Sequence, residues 1–257
     1  MNVTDNLVWS LVTEKKAIST SDLAKSAAVN GAASGTCFLA IEQTAGRGRH
    51  GREWISKKGG MYLSVLIRPT LPIHQWFAFS FAAALAVRDT LRNHIENELK
   101  GKKIPEIGLK WPNDVLVSGG KIAGILLEME GQALIIGVGI NIVSIKGFDH
   151  FDFPPVALAD VLSKKKSQLP TPNSLANELM KRLAYWFKKL ELYGFKFIRY
   201  AWLKDALYLG KTVAANQGTK KIFGTFHDLN MDGAMLLLDD SGKIHHITTS
   251  EVEILGV

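Results

Sequence analysis

The sequence has a single cysteine, Cys37, in 257 residues. An intramolecular disulfide framework and a multi-cysteine zinc site are therefore excluded, and a reducing cytoplasm is the expected compartment. Glycine and proline, 23 and 8 residues, are too few for a collagen-like or low-complexity chain. Long apolar runs are missing as well. The most apolar stretch, Trp76 to Val87, is about twelve residues, against the roughly twenty that span a bilayer. The amino terminus, MNVTDNLVWSLVTEKK, lacks the basic start and apolar core of a leader. A soluble protein without membrane contact is expected.

Several chemistries are absent too. There is no G-x-S-x-G elbow and no H-E-x-x-H pair. Gly210-Lys211-Thr212 looks like the end of a P-loop, but Asp205 stands at the required upstream glycine. His245 and His246 fall on one expected strand and point to opposite faces. Basic residues do not alternate with aromatics as a base-stacking surface requires. What the chain does have is ordinary globular composition, 47 % hydrophobic and 21 % charged, with a net charge of +7. That surplus permits a phosphate ligand or an acidic partner without specifying either.

The pattern suggests a mixed α/β chain of the α+β type. Strands are expected over residues 33–41 and 61–67, and a helix from Gln75 to about Ile95. A meander follows over 107–110, 115–117, 122–130 and 133–141, turning at Ser118-Gly119-Gly120 and Glu130-Gly131-Gln132. Residues 144–155 read as a loop. A helix is expected from Thr171 to Tyr193, with Pro172 in its first turn and Gly194 as its stop. Beyond Leu209 the character changes to five short strands, which suggests a small barrel. A division into residues 1–209 and 210–257 is expected.

Three segments carry chemical interest. Gly46-Arg47-Gly48-Arg49-His50-Gly51-Arg52 lets backbone approach a ligand while its arginines offer forked donors for phosphate or carboxylate. It contains a literal G-x-G-x-x-G, yet a strand follows it rather than a helix, so a dinucleotide fold is not indicated. Lys110-Trp111-Pro112-Asn113-Asp114 is followed by Lys121, which offers a point charge near oxygen ligands suited to magnesium. The bland alternative for that segment is a polar turn. Gly137-Val138-Gly139-Ile140-Asn141 ends a buried-looking strand, where close packing explains the glycines equally well.

Taken in order, these segments resemble the biotin protein ligases. The likeness rests on Ser19-Thr20-Ser21, Gln43, Gly46 through Arg52 with Trp54, Lys110 through Asp114, Lys121 through Ile125, and Gly137 through Asn141. Ser250-Glu251-Val252 and the strands around it look like the family's small SH3-like carboxyl-terminal domain. The resemblance implies a mostly antiparallel mixed sheet backed by helices. It also implies two reactions: biotin and ATP give biotinyl-5′-AMP and pyrophosphate, then a carrier-domain lysine takes the biotinyl group and releases AMP. The cofactors implied are ATP and Mg2+, and the partner is the biotin carboxyl carrier protein of acetyl-CoA carboxylase and similar enzymes.

By the same resemblance, Ser19, Thr20 and Gln43 line the biotin pocket, and Arg47, Gly48 and Arg49 lie over biotin and adenylate. Lys121 matches the lysine at the carboxyl–phosphate junction, and Asn113, Asp114 and Asn141 match polar residues around nucleotide and metal. Lys121, Arg47, Arg49 and Asp114 form the implied catalytic set, with Asp114 as magnesium ligand. The implied binding set adds Ser21, Gly46, Arg52, Trp54, Lys110, Gly124 and Gly139. Departures occur at Ser21, where the family usually has asparagine, at Ile18, often acidic, and at His50, commonly arginine. Only 18 residues precede Ser19, too few for the operator-binding winged helix of some relatives, so no specific DNA binding is expected. A homodimer through an unpaired sheet edge is compatible with such a fold. The alternatives are a lipoate–protein ligase, whose arginine-pair and triple-glycine segment is missing here, and an inactive biotin- or nucleic-acid-binding module.

Overall fold

The computed structural model describes residues 7–145, 153–164, 168–217, 220–248 and 252–254. Ser250, Glu251 and the stretch 146–152 of the expected loop lie outside the described residues. The chain opens with β1 (Ser10–Glu14), α1 (Thr20–Val29), β2 (Thr36–Ala40) and β3 (Met61–Ile67). Then come α2 (Ala78–Glu98), β4 (Ile107–Lys110), β5 (Asp114–Val117), β6 (Gly120–Glu130) and β7 (Ala133–Ile140). α3 (Leu158–Leu162) and α4 (Pro172–Leu203) lead to β8 (Thr212–Gln217), β9 (Lys220–Leu229), β10 (Met235–Leu238), β11 (Ile244–Ile247) and β12 (Val252–Ile254).

The first seven strands form one mixed sheet in the order β1-β2-β3-β7-β6-β5-β4. Its pairs are antiparallel except β1–β2, which is parallel. The last five form a separate antiparallel sheet, β11-β10-β9-β8-β12, of the small SH3-like kind expected. α2 agrees with expectation in outline, whereas α1 and α3 are not expected from the sequence. α4 departs from expectation: after a break at Gly194 (φ 67°) the helix continues to Leu203. Glycine adopts that angle without strain, and Phe195, Ile198 and Trp202 then extend the buried stripe, so the break does not end the element.

β3 is buried along its whole length, because both faces of the sheet are covered. One face carries Leu63, Val65 and Ile67, which join Val138, Ile136 and Leu134 in the main core. α2 and α4 cover that face, with aromatic edges such as Phe79–Phe187 at 5.1 Å and Phe81–Trp202 at 5.4 Å. Each such pair adds about 0.5–1.5 kcal/mol beyond its burial. The opposite face carries Leu66 and Ile135, which pack on Ala24 and Ala28 of α1. α1 covers only part of this face. The remainder is a cleft.

Two seams hold the larger sheet to the chain that follows α4. Residues 205–207 run along β4 (Leu109 N donates to Asp205 O at 2.7 Å, Leu207 N to Leu109 O at 2.8 Å), while Arg88 and Arg92 both pair with Asp205. The second seam is a buried bond at 3.0 Å from Trp111 Nε1 to Gly233 O, in the turn between β9 and β10. Trp111→Phe keeps a ring there but strands the carbonyl, at an expected cost of about 1–3 kcal/mol. Urea unfolding measures it; an unchanged midpoint would show that packing alone holds the seam.

Candidate active site

The cleft, about 360 Å3, lies between α1, β3, β6, β7 and the loop 46–54. That volume suits a small organic ligand. Its floor is made by glycines. Gly124 and Gly139 face each other across β6 and β7, and the Trp54 indole lies over them. A Cβ on Gly139 would fall 2.5 Å from Trp54 Nε1, and one on Gly124 2.8 Å from Trp54 Cζ3. Neither distance is sterically tolerable, so the indole needs both glycines. Lys121 stands above the same ring, its Nζ 5.1 Å from the centroid.

One end of the cleft is polar but uncharged. The first N–H of α1, on Thr20, donates to Gln43 Oε1 at 2.8 Å, so Gln43 caps the helix from outside. Gln43 Nε2 donates to Ser56 Oγ at 2.9 Å, and Ser56 Oγ donates to Trp54 O at 2.9 Å. The Thr20 and Ser64 hydroxyls lie 2.8 Å apart, and those of Ser21 and Ser64 3.2 Å apart. Ser19, Thr20, Ser21, Ser56 and Ser64 are all buried. Ser56 and Ser64 escape the sequence reading. The available signal for Ser64 is a lone hydroxyl inside the otherwise apolar run of β3.

The other end is cationic. Lys121 Nζ lies 2.7 Å from Asp114 Oδ1, across a bulge where β5 shifts register against β6. The Lys121 backbone is fastened by Lys121 N to Pro154 O at 2.9 Å and Val156 N to Lys121 O at 3.0 Å. Asn113 Nδ2 donates to Ile125 O at 2.6 Å. Asn141 Nδ2 donates to Lys121 O and Val156 O at 3.3 and 3.2 Å, while its Oδ1 is buried without a partner. Lys110 is buried, with its ammonium 4.5 Å from the Phe153 ring centroid. Burial holds the Arg49 pKa below its ordinary value, against the attraction of Asp114 and with the repulsion of Arg52. A partly desolvated guanidinium in a cleft that Lys121 also lines is a natural anion seat.

The structure brings the expected binding residues to this cleft with one exception. Gly46 does not line it. A Cβ there would fall 2.5 Å from Trp54 O and 2.4 Å from Ser56 Oγ, so Gly46 closes the loop from behind. Arg47, one of the forked donors that the sequence offers to a ligand, already has acidic partners within the protein. Arg47 forks onto Asp22 of α1 and lies 3.9 Å from Glu128 of β6. The loop is further ordered by Gly48 N to Arg52 O at 2.7 Å and Trp54 N to Gly46 O at 2.9 Å. Among the described residues no group of three or more His, Cys, Asp or Glu could hold a metal. Neutral hydrogen bonds at one end, an apolar middle and partly buried cations at the other suit an amphiphilic acid lying against a phosphate.

Residues 14–141 match the Biotin/lipoate A/B protein ligase family, and residues 208–255 match the Biotin protein ligase C terminal domain. The chain is 35 % identical over 213 residues to the biotin–[acetyl-CoA-carboxylase] ligase of Paracoccus denitrificans, covering 80 % of this chain and 85 % of that protein. With the bifunctional ligase/repressor BirA of Bacillus subtilis it shares 30 % identity over 247 residues, 92 % of this chain and 71 % of the other. Among solved structures, the biotin protein ligase from Aquifex aeolicus in complex with biotin and ATP matches with a TM-score of 0.80 at 30 % identity, covering 95 % of this chain and 97 % of that one.

Proposed function

The chain belongs to the biotin/lipoate A/B protein ligase family, and from that premise we propose how its cleft joins biotin to a carrier lysine at the expense of ATP. It is a biotin protein ligase. Biotin's carboxylate oxygen attacks the α-phosphorus of ATP and pyrophosphate leaves. The ε-amine of a lysine on a biotin carboxyl carrier domain then attacks the acyl carbon, and AMP leaves. The substrate carboxylate and the carrier amine are the nucleophiles, so the protein's work is positioning and electrostatic stabilisation.

The observation that carries the reading is the pairing of a neutral hydrogen-bonding end with a cationic end across one cleft. A ureido head has donors and an acceptor to match Ser19, Thr20, Ser21 and the Gln43–Ser56 relay. Trp54 on its glycine floor faces the aliphatic chain. A lipoyl dithiolane offers no donor or acceptor that could exchange with these hydrogen bonds, which disfavours the lipoate alternative. At the other end Lys121 and Arg49 offset the repulsion between carboxylate and phosphate, with charge-assisted bonds each on the order of 1.5–3 kcal/mol. Arg52 and Lys110 add positive potential at the nucleotide. Gly48 keeps the loop's backbone close to the adenylate.

Magnesium fits this site as a few-ligand ion bound mainly through the nucleotide. Asp114 and the unpartnered amide oxygen of Asn141 are the oxygen donors that would hold it. It would supply charge neutralisation on the phosphates. Asn113 keeps β6 in register beneath them. We place the protein in the cytoplasm; among the described residues no helix is long and apolar enough to cross a membrane. β1 is an outer strand of the larger sheet, and its open edge is where a second copy would pair in a homodimer.

Pyrophosphate exchange into ATP is the test of the whole reading. It should depend on biotin and not on lipoate; exchange with lipoate alone would reverse the choice. Lys121→Ala should slow adenylate formation about 10²- to 10³-fold with a native unfolding transition. A rate within threefold of wild type would remove Lys121 from the mechanism. Arg49→Gly removes a phosphate partner and frees backbone. It should form adenylate yet hold it poorly, so biotin should appear on bystander proteins that lack a carrier domain. Near-normal adenylation without bystander labelling would show that Arg49 does not retain the intermediate. DNA binding should be indifferent to sequence and lost as salt rises, and a thousandfold preference for one sequence at physiological salt would overturn that.

A further inference from the structure

We propose that Asp22 is a positioning residue that straps the arginine loop over the cleft through Arg47, and so sets how long the adenylate is retained. The inference rests on the ligase reading and adds to it a residue that does not line the cleft.

Asp22 follows Ser19-Thr20-Ser21 directly, in the first turn of α1. Its carboxylate receives both arms of the Arg47 guanidinium, with Nη1 to Oδ2 at 2.8 Å. Glu128 on β6 lies 3.9 Å from Arg47 and is held by Lys25 of α1 at 2.6 Å. Arg47 therefore joins three elements that wall the cleft: the loop, α1 and β6. The forked bond holds the Asp22 carboxyl pKa below its usual range and raises that of the Arg47 guanidinium.

The pairing divides labour within the loop. Arg47 is spent on the protein, whereas Arg49, partly desolvated and near Asp114, is left to meet the anion. Because Arg47↔Glu53 bridges the two arms of the loop, fixing Arg47 also fixes the stretch that carries Arg49 and Arg52. The strap is half exposed, with side chains 34 % and 46 % accessible, so salt can weaken it. A clasp of that strength can hold the loop between turnovers without locking it shut. Opening it exposes the acyl-adenylate to carrier lysines and to water alike.

The experiment uses the full chain and measures the release rate of preformed biotinyl-adenylate, alongside biotin-dependent pyrophosphate exchange. Asp22→Asn should speed release about tenfold while exchange stays within threefold. Release should rise more steeply with ionic strength in the wild type than in Asp22→Asn, where the contacts of Arg49 and Lys121 are the charge pairs left for salt to weaken. Asp22→Glu should recover most of the retention, and Asp22→Asn combined with Arg47→Gln should be no worse than Asp22→Asn alone. Unchanged release, or an additive double variant, would overturn the strap. Absence of adenylate from the wild-type chain would instead reject the ligase reading, so the two failures are distinguishable.

Discussion

On the side of β6 and β7 away from the core, side chains are missing at Gly124, Gly137 and Gly139, and the functional half of the protein is built in that gap. A sheet of this kind buries its other face as a matter of course, under α2 and α4. The gap instead admits Trp54 from a loop, and the indole carries Lys121 above it. A single methyl group on Gly139 would sit 2.5 Å from the indole nitrogen. Because β6 and β7 keep those glycines in register, a choice about backbone packing becomes a choice about where a ligand lies.

The gap is closed at its two ends by different physics. At one end the polar groups are neutral and satisfy one another, through Gln43, Ser56, Thr20, Ser21 and Ser64. Unpaired, such buried groups would cost about 1–3 kcal/mol each, so this end is stable when empty and can exchange partners with a ligand that offers the same bonds. At the other end the groups are charged and only partly compensated. Arg49 loses hydration and gains only the distant attraction of Asp114, and that residual cost is recovered when an anion arrives.

How far this was legible from sequence depends on how each element buries itself. The meander from β4 to β7 can be read, because apolar runs are broken by turns in which Gly119 and Gly131 take positive φ. β1 and α1 cannot. β1 is mostly exposed, so it has no alternation to find, and α1 buries only small residues such as Ala24, Ala28 and Ser21. Each candidate segment was visible by its composition, but its assembly was not. Asp22 and Arg47 are 25 residues apart and meet only because α1 packs beside β6. Ser64 reads as one more position of a buried strand until its neighbours are known.

The smaller sheet shows why such assembly matters to function. Trp111 stands between Lys110 and Pro112-Asn113-Asp114, and its indole N–H is spent on Gly233, far along the chain. A Cβ on Gly233, where φ is +77°, would fall 2.7 Å from the Phe77 ring. The turn around it is framed by Asn230, whose Oδ1 accepts from Ala234 N at 2.8 Å and Asp232 N at 2.9 Å. Arg199 holds the approach to that turn, donating to Leu229 O at 2.6 Å and pairing with Asp228. The segment 110–114 therefore leans on a turn of the carboxyl-terminal sheet, while the arginine loop leans on α1. Two loops braced by separate parts of the chain can close on one ligand independently, which is what a site needs when it must first hold an acyl-adenylate and then present it to another protein.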